Sequence, residues 1–152
     1  MKLDLAIREL HRSELMLARR LLEVSERHRA EHEVHHVAAD LAGWSCEHVR
    51  ALAEAGHRYS LSLDDSLDGA FDAGVLSERG GDVGLQLLGD LRRLHLAAVG
   101  VSLDWELLAQ GAQALRDAGL LGLAQRCHPR TLRQMKWTNA MLKTLSPQIM
   151  AS

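Results

Sequence analysis

"LDLAIRELHRSELMLARRLLEVSERH", residues 3–28, decides the fold. Leu3, Ile7, Leu10, Leu17, Leu21 and Val24 recur in steps of three and four, with one break at position 14. That recurrence predicts a long helix with a single buried stripe. The break is Glu14, a carboxylate where the stripe calls for an apolar side chain. Buried carboxylates are costly unless they are paired or bound to a metal, so Glu14 demands a partner.

Outward from this stretch, the same periodicity predicts a second helix over about 31–57, with Val34, Val37, Ala38, Leu41, Leu52 and Ala55 inward. The short polar join between the two makes them an antiparallel hairpin. Residues 58–82 are rich in Ser, Asp and Gly and read as a long crossover, with one helical turn near 67–71. A third helix is expected over about 83–99, with Leu87, Leu88, Leu91, Leu94 and Ala98 inward. Gly100, Val101 and Ser102 read as a tight turn, with Ser102 capping a fourth helix lined by Trp105, Leu108, Ala112, Leu115, Gly119 and Leu123. Pro129 is expected to end or kink it. A C-terminal helix within about 130–146 would carry Leu132, Met135, Leu142 and Leu145. The expectation is one all-α domain over 1–152: a four-helix bundle of two antiparallel hairpins joined by a crossover, plus a C-terminal helix.

Composition agrees. Hydrophobic residues make up 47% of the 152 residues and aromatic ones 3%, and the apolar content is mostly Leu and Ala, which favours helices over strands. The net charge of -2 gives no strong attraction to nucleic acid or to an anionic membrane. No apolar run approaches the roughly 18 residues a membrane span needs. The charged N-terminus does not read as a signal peptide, and neither Cys46 nor Cys127 has a CxxC partner. A soluble, cytoplasmic protein is expected.

Two polar clusters compete as the site. "HRAEHEVHHVAAD", residues 28–40, holds four of the nine histidines, and Glu33-x-x-His36 has the spacing of helical metal sites. An ideal helix advances about 100° per residue, which turns His36 roughly 140° and His32 roughly 180° from the second stripe. That run reads mainly as a solvated face. His48 instead lies about 20° from the stripe centre, and His95 about 40° from that of the third helix. A hairpin turning near residues 29–30 sets His11 opposite His48, with Glu14 within a turn of both. Glu14, His48, His95 and His11 are the candidate site.

Two chemistries fit such a cluster. Neutral imidazole and carboxylate suit Zn²⁺ or Fe²⁺, and two histidines with one carboxylate leave a position open. Alternatively, Glu14 pairs with a protonated His48 or His11 in a buried network that fixes register without chemistry. The two hairpins, the crossover and the inward Glu14 resemble the ferritin-like superfamily over about residues 3–127. That superfamily binds two metals through a Glu on the first and third helices and Glu-x-x-His on the second and fourth. Glu14 matches the first position and His48 the second-helix histidine, while Ser45 replaces its glutamate and His95 stands where the third helix would offer Glu. Glu54-x-x-His57 has the full spacing but points outward by phase, and the fourth helix offers only Gln113-x-x-Arg116. The resemblance implies a bundle holding one metal ion, iron or zinc, or none, with a redox or stress-related role. Bundles built on three inward histidines are similar at that level only. The alternative is a non-enzymatic interaction or scaffold module whose inner polar cluster is structural.

Leu5, Met16, Leu96, Leu107 and Leu121 fall off the main stripes, and the C-terminal helix adds Trp137 and Met141. Such surplus apolar surface predicts a homodimer, or docking of the last helix over the bundle. The basic run at 130–136 suits an acidic protein partner or a solvated face. Cys46 reads as a boundary residue, and Trp44, Trp105 and Trp137 as packing anchors. Neither a Gly-rich phosphate loop nor a local Ser-His-Asp spacing is present.

Overall fold

The computed structural model describes residues 2–64 and 81–152, so the turn expected near 67–71 lies outside the described residues. Four long helices make up the described chain: α1 (Leu3–Arg27), α2 (His32–Gly56), α3 (Val83–Ala114) and α4 (Ala118–Ala151), with a short 3₁₀ turn at His57–Tyr59. No strand occurs among the described residues. None of their helices is long and apolar enough to cross a membrane.

The first hairpin follows its sequence pattern. All six apolar residues of the α1 stripe are buried, and Glu14 is fully buried among them. Ser25 and His35 lock the hairpin turn. The Ser25 hydroxyl donates to the His35 carbonyl (2.6 Å) and His35 Nδ1–H to the Ser25 carbonyl (2.8 Å).

The second half departs from expectation. Residues 100–102 form no turn, and Ser102 caps nothing. It is buried inside α3, where its hydroxyl meets His128 Nε2 at 2.8 Å. Leu94, Ala98, Val101, Trp105 and Leu108 keep the three–four step across Gly100 and are all buried. Burying them outweighs the roughly 1 kcal/mol that a mid-helix glycine costs. The hairpin turns instead at residues 115–117, where Arg116 takes a left-handed φ of 54° and Asp117 Oδ1 accepts the Leu120 N–H (3.0 Å) as the N-cap of α4. Leu115, expected inward, is therefore exposed.

Pro129 does not end α4, and the separate C-terminal helix is its continuation. Pro129 and Pro147 both sit on the exposed side, so the carbonyl that each leaves unpaired can meet water. The uninterrupted helix carries one phase throughout: Leu120, Ala124, Cys127, Thr131, Gln134, Thr138 and Met141 face inward, while Leu132 is exposed.

Contacts along the helices fix their directions. Leu3 lies against Gly111, Glu14 meets Trp105 and His28 meets Asp90, so α1 and α3 are antiparallel. Arg130 pairs with Glu47, and Gln134 Nε2–H donates to the Leu41 carbonyl (3.0 Å) and to Ser45 Oγ (2.9 Å), so α2 and α4 are antiparallel too. Of the four seams in this square, α2–α4 is the slightest. It is bridged midway by Gln134 and by Arg130 on Glu47, and at one end by Tyr59 and Arg58 on Asp117.

Candidate functional site

The polar centre of the bundle forms because each helix brings one side chain to the level of Glu14. Glu14 comes from α1, His48 from the α2 stripe, Trp105 from the middle of α3 and Cys127 from α4. His48 Nδ1–H donates to Glu14 Oε2 at 2.5 Å, and Trp105 Nε1–H donates to the same oxygen at 3.0 Å. The two rings meet edge to face at 5.8 Å between centroids, and all three residues are buried. The indole thus supplies a polar handle as well as packing.

His48 is charged in this setting. Burial alone would push its pKa down. Hydrogen bonding and charge from Cys127 and Glu14 outweigh that and raise it from 6.5 to about 9. Nδ1 is committed to Glu14, while Nε2 makes no hydrogen bond of good geometry and neither does Glu14 Oε1.

An open cleft of about 340 Å³ lies in the α2–α4 seam beside this pair. His48, Ala51, Leu123 and Cys127 line it, with Glu47, Arg126 and Arg130 at the rim. Small side chains at Ala51 and Cys127 leave the gap that larger ones would fill. Arg130 is held across the rim by Glu47 and over the Trp44 ring, 5.4 Å from its centroid. Cys46 lies on α2 close by, and burial raises its thiol pKa, so it stays protonated.

Of the four expected site residues, the structure brings Glu14 and His48 into contact. His11 is buried one turn from Glu14 on α1. His95 is elsewhere: ten residues from Trp105, or about 15 Å along α3. Its Nδ1–H donates to Thr138 Oγ1 (2.8 Å) and the Met135 carbonyl (3.2 Å). The phase that turned His95 inward is sound, but the side chain faces α4 rather than α1. Among the described residues, no three His, Cys, Asp or Glu side chains gather in ligand geometry. Glu14 Oε2 and His48 Nδ1 are spent on each other.

A second buried carboxylate escaped the sequence reading. Asp90, on α3, accepts from His28 Nε2–H (2.7 Å), Arg93 Nη2 (2.8 Å) and Arg27 Nη1 (3.4 Å). Burial would raise its pKa; the His28 and Arg93 hydrogen bonds and the nearby charges outweigh that and lower it. His28 belongs to the "HRAEHEVHHVAAD" stretch, yet it is buried, while His32 and His36 are exposed as expected. Glu54 and His57 are exposed as well.

No protein-family model, curated protein or solved structure matches this chain.

Proposed function

We propose that the chain is a non-enzymatic interaction module: a bundle with a ferritin-like crossover that works as a homodimer, its inner Glu14–His48–Trp105 network serving to fix helix register. One observation carries the reading. The outer face of α1 and α3 is an apolar surface with no cover among the described residues, where Leu5, Leu96, Leu103 and Leu107 are each more than half exposed, with Met16 at 43%. Leu96, Gly100, Leu103 and Leu107 follow steps of four, three and four, so they form one stripe. A Cβ at Gly100 would meet nothing within 4 Å, which leaves room for a helix of a second copy. Leu5, Ala6 and Leu107 also line a groove of about 300 Å³ flanked by Glu9 and Asp104. Arg8 and Arg12 are exposed on the same helix as Glu9, so a two-fold partner would meet both signs of charge. Large uncovered apolar patches of this sort mark interfaces.

The crossover part rests on chain direction. The chain leaves α2 at the end of the bundle where α1 begins, and enters α3 at the end where His28 meets Asp90. The polar centre fits the structural role because Glu14 takes its donors from two other helices of the same chain.

Light scattering on the untagged protein tests the reading. It should give twice the 16.8 kDa chain mass, falling to one chain in Leu103→Glu and Leu107→Glu. A monomer at all concentrations would overturn the dimer. Stoichiometric iron or zinc by elemental analysis would overturn the metal-free structural role of the centre.

A further inference from the structure

We infer that Cys127 is a modification site, a thiol set by His48 for attack on small electrophiles, hydroperoxides included, that enter the α2–α4 cleft. This goes beyond the dimeric module and does not depend on it. A cysteine in a helix is no site by itself. Here the second observation is His48: it is 2% exposed, its Nδ1 is fixed by Glu14, its Nε2 makes no hydrogen bond of good geometry, and it lines the cleft together with Cys127. Glu14, His48 and Cys127 thus stand in the order of carboxylate, oriented imidazole and nucleophile. Trp105 on Glu14 Oε2 stiffens the carboxylate end. Arg126 and Arg130 at the mouth favour an anionic leaving group.

With a hydroperoxide the step balances as follows. The Cys127 sulfur attacks the terminal peroxide oxygen, and its thiol proton replaces the one that His48 Nε2 gives to the departing oxygen. The S–O bond forms and the O–O bond breaks. Sulfur is oxidised to the sulfenic acid, and the departing alkoxide or hydroxide takes the electron pair and then the His48 Nε2 proton.

The two cysteines make the test internal. Cys46 is the more exposed thiol and Cys127 is 6% exposed, so accessibility alone ranks Cys46 first. The native protein is treated at neutral pH with iodoacetamide, and both sites are followed by mass spectrometry. Labelling of Cys127 should be about tenfold faster than that of Cys46, or more. One equivalent of hydrogen peroxide with dimedone should place the adduct on Cys127. In His48→Gln the Cys127 rate should fall by about tenfold while that of Cys46 holds. If this variant does not fold, the wild-type ratio alone decides. Equal or faster labelling of Cys46, or labelling of Cys127 only in urea, would overturn the assignment.

Discussion

Glu14 and Asp90 lie on the same seam between α1 and α3, separated by the 14 residues from Glu14 to His28, or about 21 Å along α1. Asp90 is at the end of the bundle and accepts from His28 and from two guanidinium cations, Arg27 and Arg93, which reach solvent with 18% and 38% exposure. Glu14 is at mid-height, fully buried, with one cation and one indole, and one of its oxygens has no hydrogen bond. The same element of sequence chemistry, a carboxylate facing inward, is held by redundancy in one place and by a single charged partner in the other. Redundant partners let the site relax when one is lost; a single partner does not. Losing His48 or Glu14 leaves the other a buried, unpaired charge.

The largest effect should therefore come from Glu14→Ala, with an expected loss of about 3 to 5 kcal/mol in urea unfolding. His48 and Trp105 both lose their acceptor, and both are buried. A loss below about 1 kcal/mol would put Glu14 on a relaxed or wetted site.

pH separates the two regions next. The folded pKa of His48 lies near 9, above its ordinary 6.5. Its stabilising contribution is complete below about 6.5 and fades as pH rises through about 9, a loss of up to about 3 kcal/mol on the alkaline side. Asp90 is shifted downward, so its contribution is present above the ordinary carboxylate range and disappears as pH falls through its lowered value. Unfolding free energies across the pH range should show both limbs. His48→Gln should flatten only the alkaline one.

Asp90→Ala should cost less than Glu14→Ala, about 2 to 3 kcal/mol, because Arg27 and Arg93 can turn to solvent and only His28 is stranded. Equal costs for the two variants in the same urea series would erase the distinction between redundant and single partners.

The sequence exposed one of these carboxylates and hid the other for a geometric reason. Glu14 occupies a stripe position that no neighbour fills, so the break in the period is visible. Asp90 sits beside Leu91, between Leu87 and Leu94, and the three–four step closes without it. His28 was hidden by company: three polar neighbours made the run look solvated, and its place at the end of α1 turns it under Asp90 instead. The first hairpin was legible because its stripes are continuous. The second was misdivided because local breakers, Gly100 and Pro129, were weighed above the longer apolar phase that runs through them. Resetting the phase after Pro129 sent Leu132 inward and concealed Thr131, Gln134 and Thr138. Keeping it would have brought Cys127 to the seam. The turn at residues 115–117 carried its own mark, the capping Asp117, against an unbroken-looking run of helix formers.

The smallest effect is expected from the exposed run. His32→Ala with His36→Ala should change stability by no more than about 0.5 kcal/mol, since both rings are exposed and their ring contacts are with each other and with His35. A larger loss in thermal melts would move the polar centre of the molecule to that face.

The claim that a charged pair sits at the heart of the bundle is tested most directly by following the nine histidine rings by NMR as pH is raised. His48, assigned through its loss in His48→Gln, should remain protonated at pH 7.5 and titrate near 9. A His48 ring that titrates at or below its ordinary 6.5 would contradict the pair with Glu14.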